Sequence, residues 1–311
     1  IAGTKIGIKG ENSSRVDHLF RLIRSKSNRK PKWLLIENVP YMLSLDKGQA
    51  MRHLVDEIED LGYRWAYRVV DARSLGVKQR RPRVVLAAST IEHPKDGLFN
   101  QDLDRNPFDD SLSRIDEDTS YGFYWTEGLR GIGWAREGVP PIKGGSGLGI
   151  PSPPAIWNSS LDFVGTLSIQ DAERLQGFPA EWTAPIVGAG FKQRNRWKLV
   201  GNAMCVLMSE WIGKAIRDPN GLSESSFRQR NKGGWPKAAF GEGGHTYEVS
   251  ATPWLYEPDR SSFSKSLAHP LQPLSLRAAE GFYSRACRSK TIRYSSRFLE
   301  SIHRYIGKIS S

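Results

Sequence analysis

The stretch KWLLIENVP, residues 32–40, sets four apolar residues, Trp33 to Ile36, directly before Glu37 and Asn38. A short apolar run bounded by polar residues reads as a buried strand. In α/β sheets the carboxyl ends of strands are where ligands bind, so a strand that ends on a carboxylate and an amide points to chemistry at that end. Upstream, Val16, Leu19, Phe20 and Ile23 recur at helical spacing behind a capping-box pattern from Ser14 to Asp17. Downstream, Met51, Leu54, Val55, Ile58 and Leu61 define the apolar face of a second helix that Gly62 stops. RWAYRVVDA (64–72) then alternates Trp65, Tyr67 and Val69 as a half-buried strand, and RVVLAAS (83–89) reads as a third strand behind the basic run KQRRPR. Helix, strand, helix, strand, strand predicts an α/β fold, with apolar strands that suit a sheet covered on both faces.

From 91 to about 165 the chain is rich in Gly, Pro, Trp and Asp without sustained periodicity, which predicts loops and short strands. Regularity returns at LSIQDAERLQGFP (167–179), where Ser168 and Asp171 form another capping pattern and Gly177 ends a helix. A helix over 203–216 is expected to bury Met204, Leu207, Met208, Trp211, Ile212 and Ala215. Beyond 218 a Ser-, Arg- and Gly-rich linker leads to helices at 275–287 and 296–306, the last with Phe298, Leu299, Ile302, Tyr305 and Ile306 as its buried stripe.

The chain of 311 residues is long enough for one large domain or two ordinary ones. Its net charge of +12, from 45 Lys and Arg against 33 Asp and Glu, favours a polyanionic partner, nucleic acid before membrane. Two cysteines, Cys205 and Cys287, make neither a disulfide framework nor a zinc site, and no apolar run approaches the roughly 18–20 residues of a membrane span. No metal site and no membrane partner are expected, and the location is expected to be the cytoplasm.

Three stretches far apart in sequence carry a resemblance: ENV at the end of the first strand, QRRPR before the third, and QDAERLQGFP with VGNAM downstream. In this order and spacing they resemble the DNA cytosine-5 methyltransferases of bacterial type, from residue 1 to about 216. The resemblance implies a Rossmann-like S-adenosylmethionine-dependent methyltransferase sheet, a small irregular β-rich target-recognition region and a helical C-terminal extension. The boundaries it implies are 1–90 for part of the catalytic domain, 91–165 for recognition, 166–217 for motifs returning to the catalytic domain, and 218–311 for the extension. Double-stranded DNA is the implied partner, nucleoid association the implied location, and modification within a restriction system the implied role.

Carbon 5 of cytosine is a poor nucleophile, so the family attacks C6 with a cysteine thiolate and makes C5 enamine-like. The growing negative charge on the ring is met at N3 by a carboxylic acid that must hold its proton. Glu37 matches that acid, and Asn38 the residue that braces it. Arg83 matches the arginine at the cytosine O2, Arg81 the arginine beside the nucleophile, Gln79 the start of the same motif, and Arg15 an arginine behind the catalytic loop. Asn202 and Ala203 match positions that hold S-adenosylmethionine, Asn202 by its side chain and Ala203 by its backbone; many relatives have Ser at the latter. Within 91–165, Lys143 is expected on DNA phosphate, with Gly144 and Gly145 permitting close backbone approach.

The family's Phe-x-Gly-x-Gly cofactor loop and its Pro-Cys-Gln nucleophile loop are both absent from these residues. AAFGEGGHTYEV (238–249) carries Glu242 where that loop needs Gly and is not a substitute. The expectation is an N-terminally incomplete methyltransferase, which alone binds S-adenosylmethionine weakly, forms no adduct with cytosine analogues and leaves an apolar sheet edge unpaired. A complementing N-terminal subunit would make it whole. The alternative is a non-catalytic DNA-binding subunit of a split methyltransferase, or a decayed relative.

Overall fold

The computed structural model describes residues 11–26, 29–145, 151–219, 227–230 and 233–310, with backbone alone for 11–15. In chain order the first elements are α1 (Glu11–Ser25), β1 (Trp33–Asn38), α2 (Gln49–Asp60), β2 (Arg64–Asp71), β3 (Pro82–Ser89), α3 (Lys95–Leu98), β4 (Ser120–Phe123) and β5 (Ala135–Arg136). Next come β6 (Ala155–Asn158), β7 (Val164–Thr166), α4 (Ile169–Arg174), α5 (Pro185–Gly188), α6 (Arg194–Asn202) and α7 (Val206–Arg217). The remainder is β8 (Phe227–Gln229), β9 (Ala238–Glu242), β10 (His245–Val249), α8 (Phe263–Ser266), β11 (Gln272–Pro273), α9 (Leu276–Cys287) and α10 (Ser296–Ser310).

These elements gather into two compact units, the first drawn from 1–74, 82–106 and 209–257, the second from 75–81, 107–208 and 258–311. The division departs from the expected boundaries at 90, 165 and 217. Residues 98–106 stay with the first unit because the fully buried Arg68 of β2 donates to the Leu98 and Gln101 carbonyls and pairs with Asp102. The tail is divided: its first part carries β8, β9 and β10 where a linker was expected, and the helices expected at 275–287 and 296–306 are α9 and α10.

In the first unit the sheet runs β1-β3-β2-β9-β10-β8. β3 is antiparallel to both β1 and β2, so those two run parallel to each other and are joined by a crossover through α2, the α/β arrangement the pattern predicts. Met51, Leu54, Val55 and Ile58 of α2 and Phe20 and Ile23 of α1 pack with Trp65, Tyr67, Val69 and Leu86. β2 is buried along all but its first residue, not half-buried, since its alternate residues meet a second layer. β9 and β10 form a hairpin across Gly243 and Gly244, whose φ of 60° and 74° are the left-handed values such a two-residue turn needs.

β1 departs from the expected buried strand. It pairs with β3 alone among the described residues, and Leu35 is 53% exposed, as are large parts of Val16, Leu19 and Leu22 on α1. The sheet edge expected to lie open is β1 itself.

In the second unit an antiparallel sheet, β11-β7-β6-β4-β5, is covered by α9 and α10. Tyr121, Phe123, Trp134 and Trp157 interlock with Phe282, Phe298, Ile302 and Tyr305. Two polar ends of this aromatic core are satisfied, Trp157 Nε1 donating to Ser301 Oγ at 2.8 Å and the Tyr305 hydroxyl to the Leu274 carbonyl at 2.7 Å, whereas Trp134 Nε1 is buried without a partner among the described residues. Of the predicted stripe on the last helix, Phe298, Ile302 and Tyr305 are buried and Leu299 and Ile306 partly so. A second core joins Val139, Ile142 and Ile156 to Leu167, Ile169, Ala172 and Leu175 around α4, and to Val200 of α6.

The expected helix over 203–216 is interrupted at its start. Ala203 is extended (φ −68°, ψ 146°), so α6 closes at Asn202 and α7 opens at Val206, whose N–H donates to the Gln176 carbonyl; Met204 lies between helices. Ser168 caps α4 by accepting from the Asp171 N–H, as its pattern predicts, and Gly177 follows at φ +84°.

Candidate active site

Glu37 is the next-to-last residue of β1, where the register pairs it with Val85. Two residues before Val85 on the partner strand, Arg83 brings its Nε to 2.7 Å from Glu37 Oε1, with side chains 10% and 22% exposed. The contact is an ion pair whose N–H is out of line: Oε1 is buried yet accepts no aligned hydrogen bond among the described residues. Asn38 turns its Oδ1 onto the Val39 N–H at 2.8 Å, closing the strand ahead of the short 3-10 turn Pro40–Leu43. Glu37, Asn38 and Arg83 are thus assembled in the first unit.

The remaining residues of the QRRPR motif belong to the second unit, and the chain passes from one set to the other across Pro82. Gln79 and Arg81 are buried rather than part of a basic turn against solvent. Gln79, fully buried, donates from Nε2 to the Leu175 carbonyl at 2.9 Å and accepts from the Ile142 N–H at 3.0 Å, clamping the end of α4 to the segment before Lys143. Arg81, 2% exposed, donates from Nη2 to the carbonyls of Gly201 (3.2 Å) and Ala203 (2.7 Å). Gln176 completes the set by donating to the Val200 carbonyl at 2.9 Å. QRRPR, RLQGFP and the Gly-Asn segment are therefore three sides of one polar cluster.

That cluster includes both residues expected at the cofactor, Asn202 and Ala203. Asn202 is exposed at the end of α6 and fits a hydrogen-bonding role toward a ligand. The Ala203 backbone is engaged already, its N–H with the Leu199 and Val200 carbonyls and its C=O with Arg81. The expected backbone contact from Ala203 would have to use the second lone pair of its carbonyl oxygen, beside Arg81.

Lys143 is exposed, but its ammonium pairs with Glu127 and lies 3.5 Å from the centroid of the Tyr124 ring. Gly144 makes a close backbone approach to α6: a Cβ there would lie 3.1 Å from the Lys198 Cα, and one on Gly201 would lie 2.3 Å from the Gly144 nitrogen. Gly145, at φ +118°, turns the loop. Arg15 lies on α1, and its side chain is outside the described residues.

One charged network was not anticipated. Glu173, fully buried on α4, accepts from the N–H groups of Glu181 (2.6 Å) and Thr183 (2.9 Å), from the Thr183 hydroxyl, and from Arg196 at 3.0 Å. Burial alone would push its carboxyl up; the Thr183 and Arg196 donors outweigh that and hold it below the usual carboxylate range. Asp171 is held low in the same way, with burial opposed by the N–H groups of Ala268 and His269, by Arg174 and by Ser168. The signal available in sequence was a pair of acids, Asp171 and Glu173, in a short helix whose other faces carry Ile169, Ala172 and Leu175. Cys205 is buried and Cys287 exposed on α9, and among the described residues no group of His, Cys, Asp and Glu is arranged to hold a metal.

Residues 1–122 match the family model for the C-5 cytosine-specific DNA methylase. Over 306 residues the chain is 49% identical to the type II methyltransferase M2.BsuMI of Bacillus subtilis strain 168, spanning 97% of this chain and 79% of that protein. The chain belongs to the C-5 cytosine-specific DNA methylase family. A second relative, the type II methyltransferase M.BsuFI of Bacillus subtilis, is 25% identical over 244 residues, 70% of this chain and 55% of its own length. Among solved structures, the Entamoeba histolytica methyltransferase EhMeth aligns over 68% of this methylase and 71% of its own chain, with 14% identity and a TM-score of 0.44. Among the described residues of this methylase no helix is long and apolar enough to cross a membrane.

Proposed function

We infer that this chain supplies the N3-binding and motif-bracing half of a DNA cytosine-5 methyltransferase that modifies DNA within a restriction system. The observation that carries the reading is the Glu37–Arg83 pair at the end of β1, in a chain belonging to the C-5 cytosine-specific methylase family. A carboxyl and a guanidinium side by side suit the adjacent N3 and O2 edge of a cytosine flipped out of the duplex. Glu37 then donates a hydrogen bond or a proton at N3 as charge develops there, and Arg83 holds O2, each exchanging part of its present contact for one to the base. Arg81 acts as a positioning residue that fixes the Gly201–Ala203 backbone. Asn202 would hydrogen-bond S-adenosylmethionine, which supplies the methyl group when bound.

In this reading neither cysteine serves as the nucleophile, because Cys205 is buried, Cys287 lies on α9, and neither follows a proline as the family motif requires. The reading therefore requires the Pro-Cys and Gly-loop motifs from outside these 311 residues. The test is to mix the chain with a second polypeptide that carries them and follow transfer of labelled methyl to DNA. Restored transfer that Glu37→Ala abolishes supports the reading; restored transfer that survives Glu37→Ala removes Glu37 from the mechanism. The non-catalytic alternative predicts no restoration and persistent DNA binding.

A further inference from the structure

From Trp182 to Ser209 the sequence has no Asp or Glu but four cations, Lys192, Arg194, Arg196 and Lys198. Arg196 is internal, paired with Glu173 and Glu181. The other three are exposed, and none has an ion-pair or hydrogen-bond partner among the described residues. On α6, Arg194 and Lys198 stand four residues apart on the solvent face, opposite the buried Arg196 and Val200. Like charges at that spacing destabilise a helix, so the row does not serve the helix itself.

Its neighbour in space is the loop around Lys143. The Gly144 backbone rests on Lys198 and the Gly201 backbone on Lys143 and Gly144, which makes the loop and α6 one continuous surface. In the loop the Lys143 charge is compensated by Glu127, whereas on α6 nothing among the described residues compensates the cations. In the same stretch of chain Trp182, stacked on Phe178 at 5.7 Å, and Phe191, next to Lys192 in sequence, are each 59% exposed. A surface with three uncompensated cations, exposed flat rings and one exposed acid, Glu181, that is already paired with Arg196 fits a polyanion with an apolar edge to its sugars and bases, and duplex DNA is the polyanion that the adjoining recognition region would hold.

We propose that Lys192, Arg194 and Lys198 form a second DNA contact, gripping the phosphate backbone beside the recognition loop. The proposal rests on the DNA methyltransferase reading, but its readout is binding, not methyl transfer. Binding of the full chain to a fluorescent 30-base-pair duplex is measured by anisotropy at several NaCl concentrations. The comparison is with the triple variant Lys192→Ala/Arg194→Ala/Lys198→Ala and with the control Lys290→Ala/Arg293→Ala, which removes two cations from the tail. Circular dichroism melts check that the variants remain folded.

The triple variant is expected to bind at least tenfold more weakly near 0.1 M salt. The slope of log K against log salt should fall by about 2–3, close to 0.9 for each phosphate no longer neutralised, while the control stays near the parent. An unchanged slope, an equal loss in the control, or no duplex binding by the parent chain overturns the proposal. An unchanged slope with weakened association to the complementing polypeptide also overturns it and assigns the surface to that polypeptide. Failure of Glu37→Ala to alter methyl transfer would instead remove the catalytic reading and leave these slopes as they are.

Discussion

Glu37 with Arg83 and Glu173 with Arg196 are two acid–arginine pairs of the same chemistry in different surroundings. Glu173 is wholly buried and receives four donors besides a shared Glu181 neighbour on its arginine. Glu37 is partly open and touches a single guanidinium out of line, leaving a buried oxygen unsatisfied among the described residues. A carboxylate with donors on both oxygens and no exposure to solvent has nothing to offer a substrate and serves to fix the loop after RLQGFP. A carboxylate with capacity in reserve, at a strand end, is where chemistry is expected.

Replacing the two acids in turn is the most severe test of this contrast. In the complemented enzyme Glu37→Gln should slow methyl transfer by about two to four orders of magnitude, the range of a general acid, and move the urea midpoint little. Equal losses of stability and rate would make Glu37 a structural residue. Glu173→Ala should do the reverse and cost about 3–5 kcal/mol in urea unfolding, because Arg196 is left buried with the exposed Glu181 as its remaining ion-pair partner, beside the neutral Thr183 hydroxyl. A cost under about 1 kcal/mol would show that solvent reaches that network.

Acid titration separates the two units. In the first, His93 is buried beside Lys95; burial is the larger cause and the nearby ammonium the second, and together they bring it down to about 4. Its folded form binds a proton less readily than the unfolded chain, so its contribution is complete above about pH 6.5 and is lost as pH falls toward 4. Glu173 and Asp171 of the second unit are also depressed, so their contribution is present above the ordinary carboxylate range and is lost only as pH falls through it. Thermal melts between about pH 7 and pH 4.5 should therefore weaken the first unit before the second, and His93→Gln should flatten that slope. The smallest effect belongs to β1: Leu35→Thr should change stability by no more than about 0.5 kcal/mol, because its side chain is already half in water.

Much of the fold could be read in advance. The period of Met51 to Leu61 marked α2, Ser168 and Gly177 bounded the region of α4, and the Phe298–Tyr305 stripe marked the buried face of α10. These signals are local, set by side-chain spacing and by caps. What failed was non-local. The alternation of Trp65, Tyr67 and Val69 suggested one wet face, but Arg68 is buried because carbonyls from residues 98, 101 and 252 reach it. The strands within 227–249 were missed because Gly243–Gly244 looked like a failed cofactor loop instead of a hairpin turn.

Residue identity and order were enough to set the family chemistry, since ENV, QRRPR, RLQGFP and VGNAM need only be present in sequence to specify an acid, two guanidiniums and a Gly-Asn helix end. How those groups are used was settled by folding. Arg83 lies on Glu37 and Arg81 on the Gly201 and Ala203 carbonyls, two residues apart in the chain but committed to different partners. A buried guanidinium must place its donors on whichever acceptors the fold brings within reach, and spacing along the chain does not encode which those are.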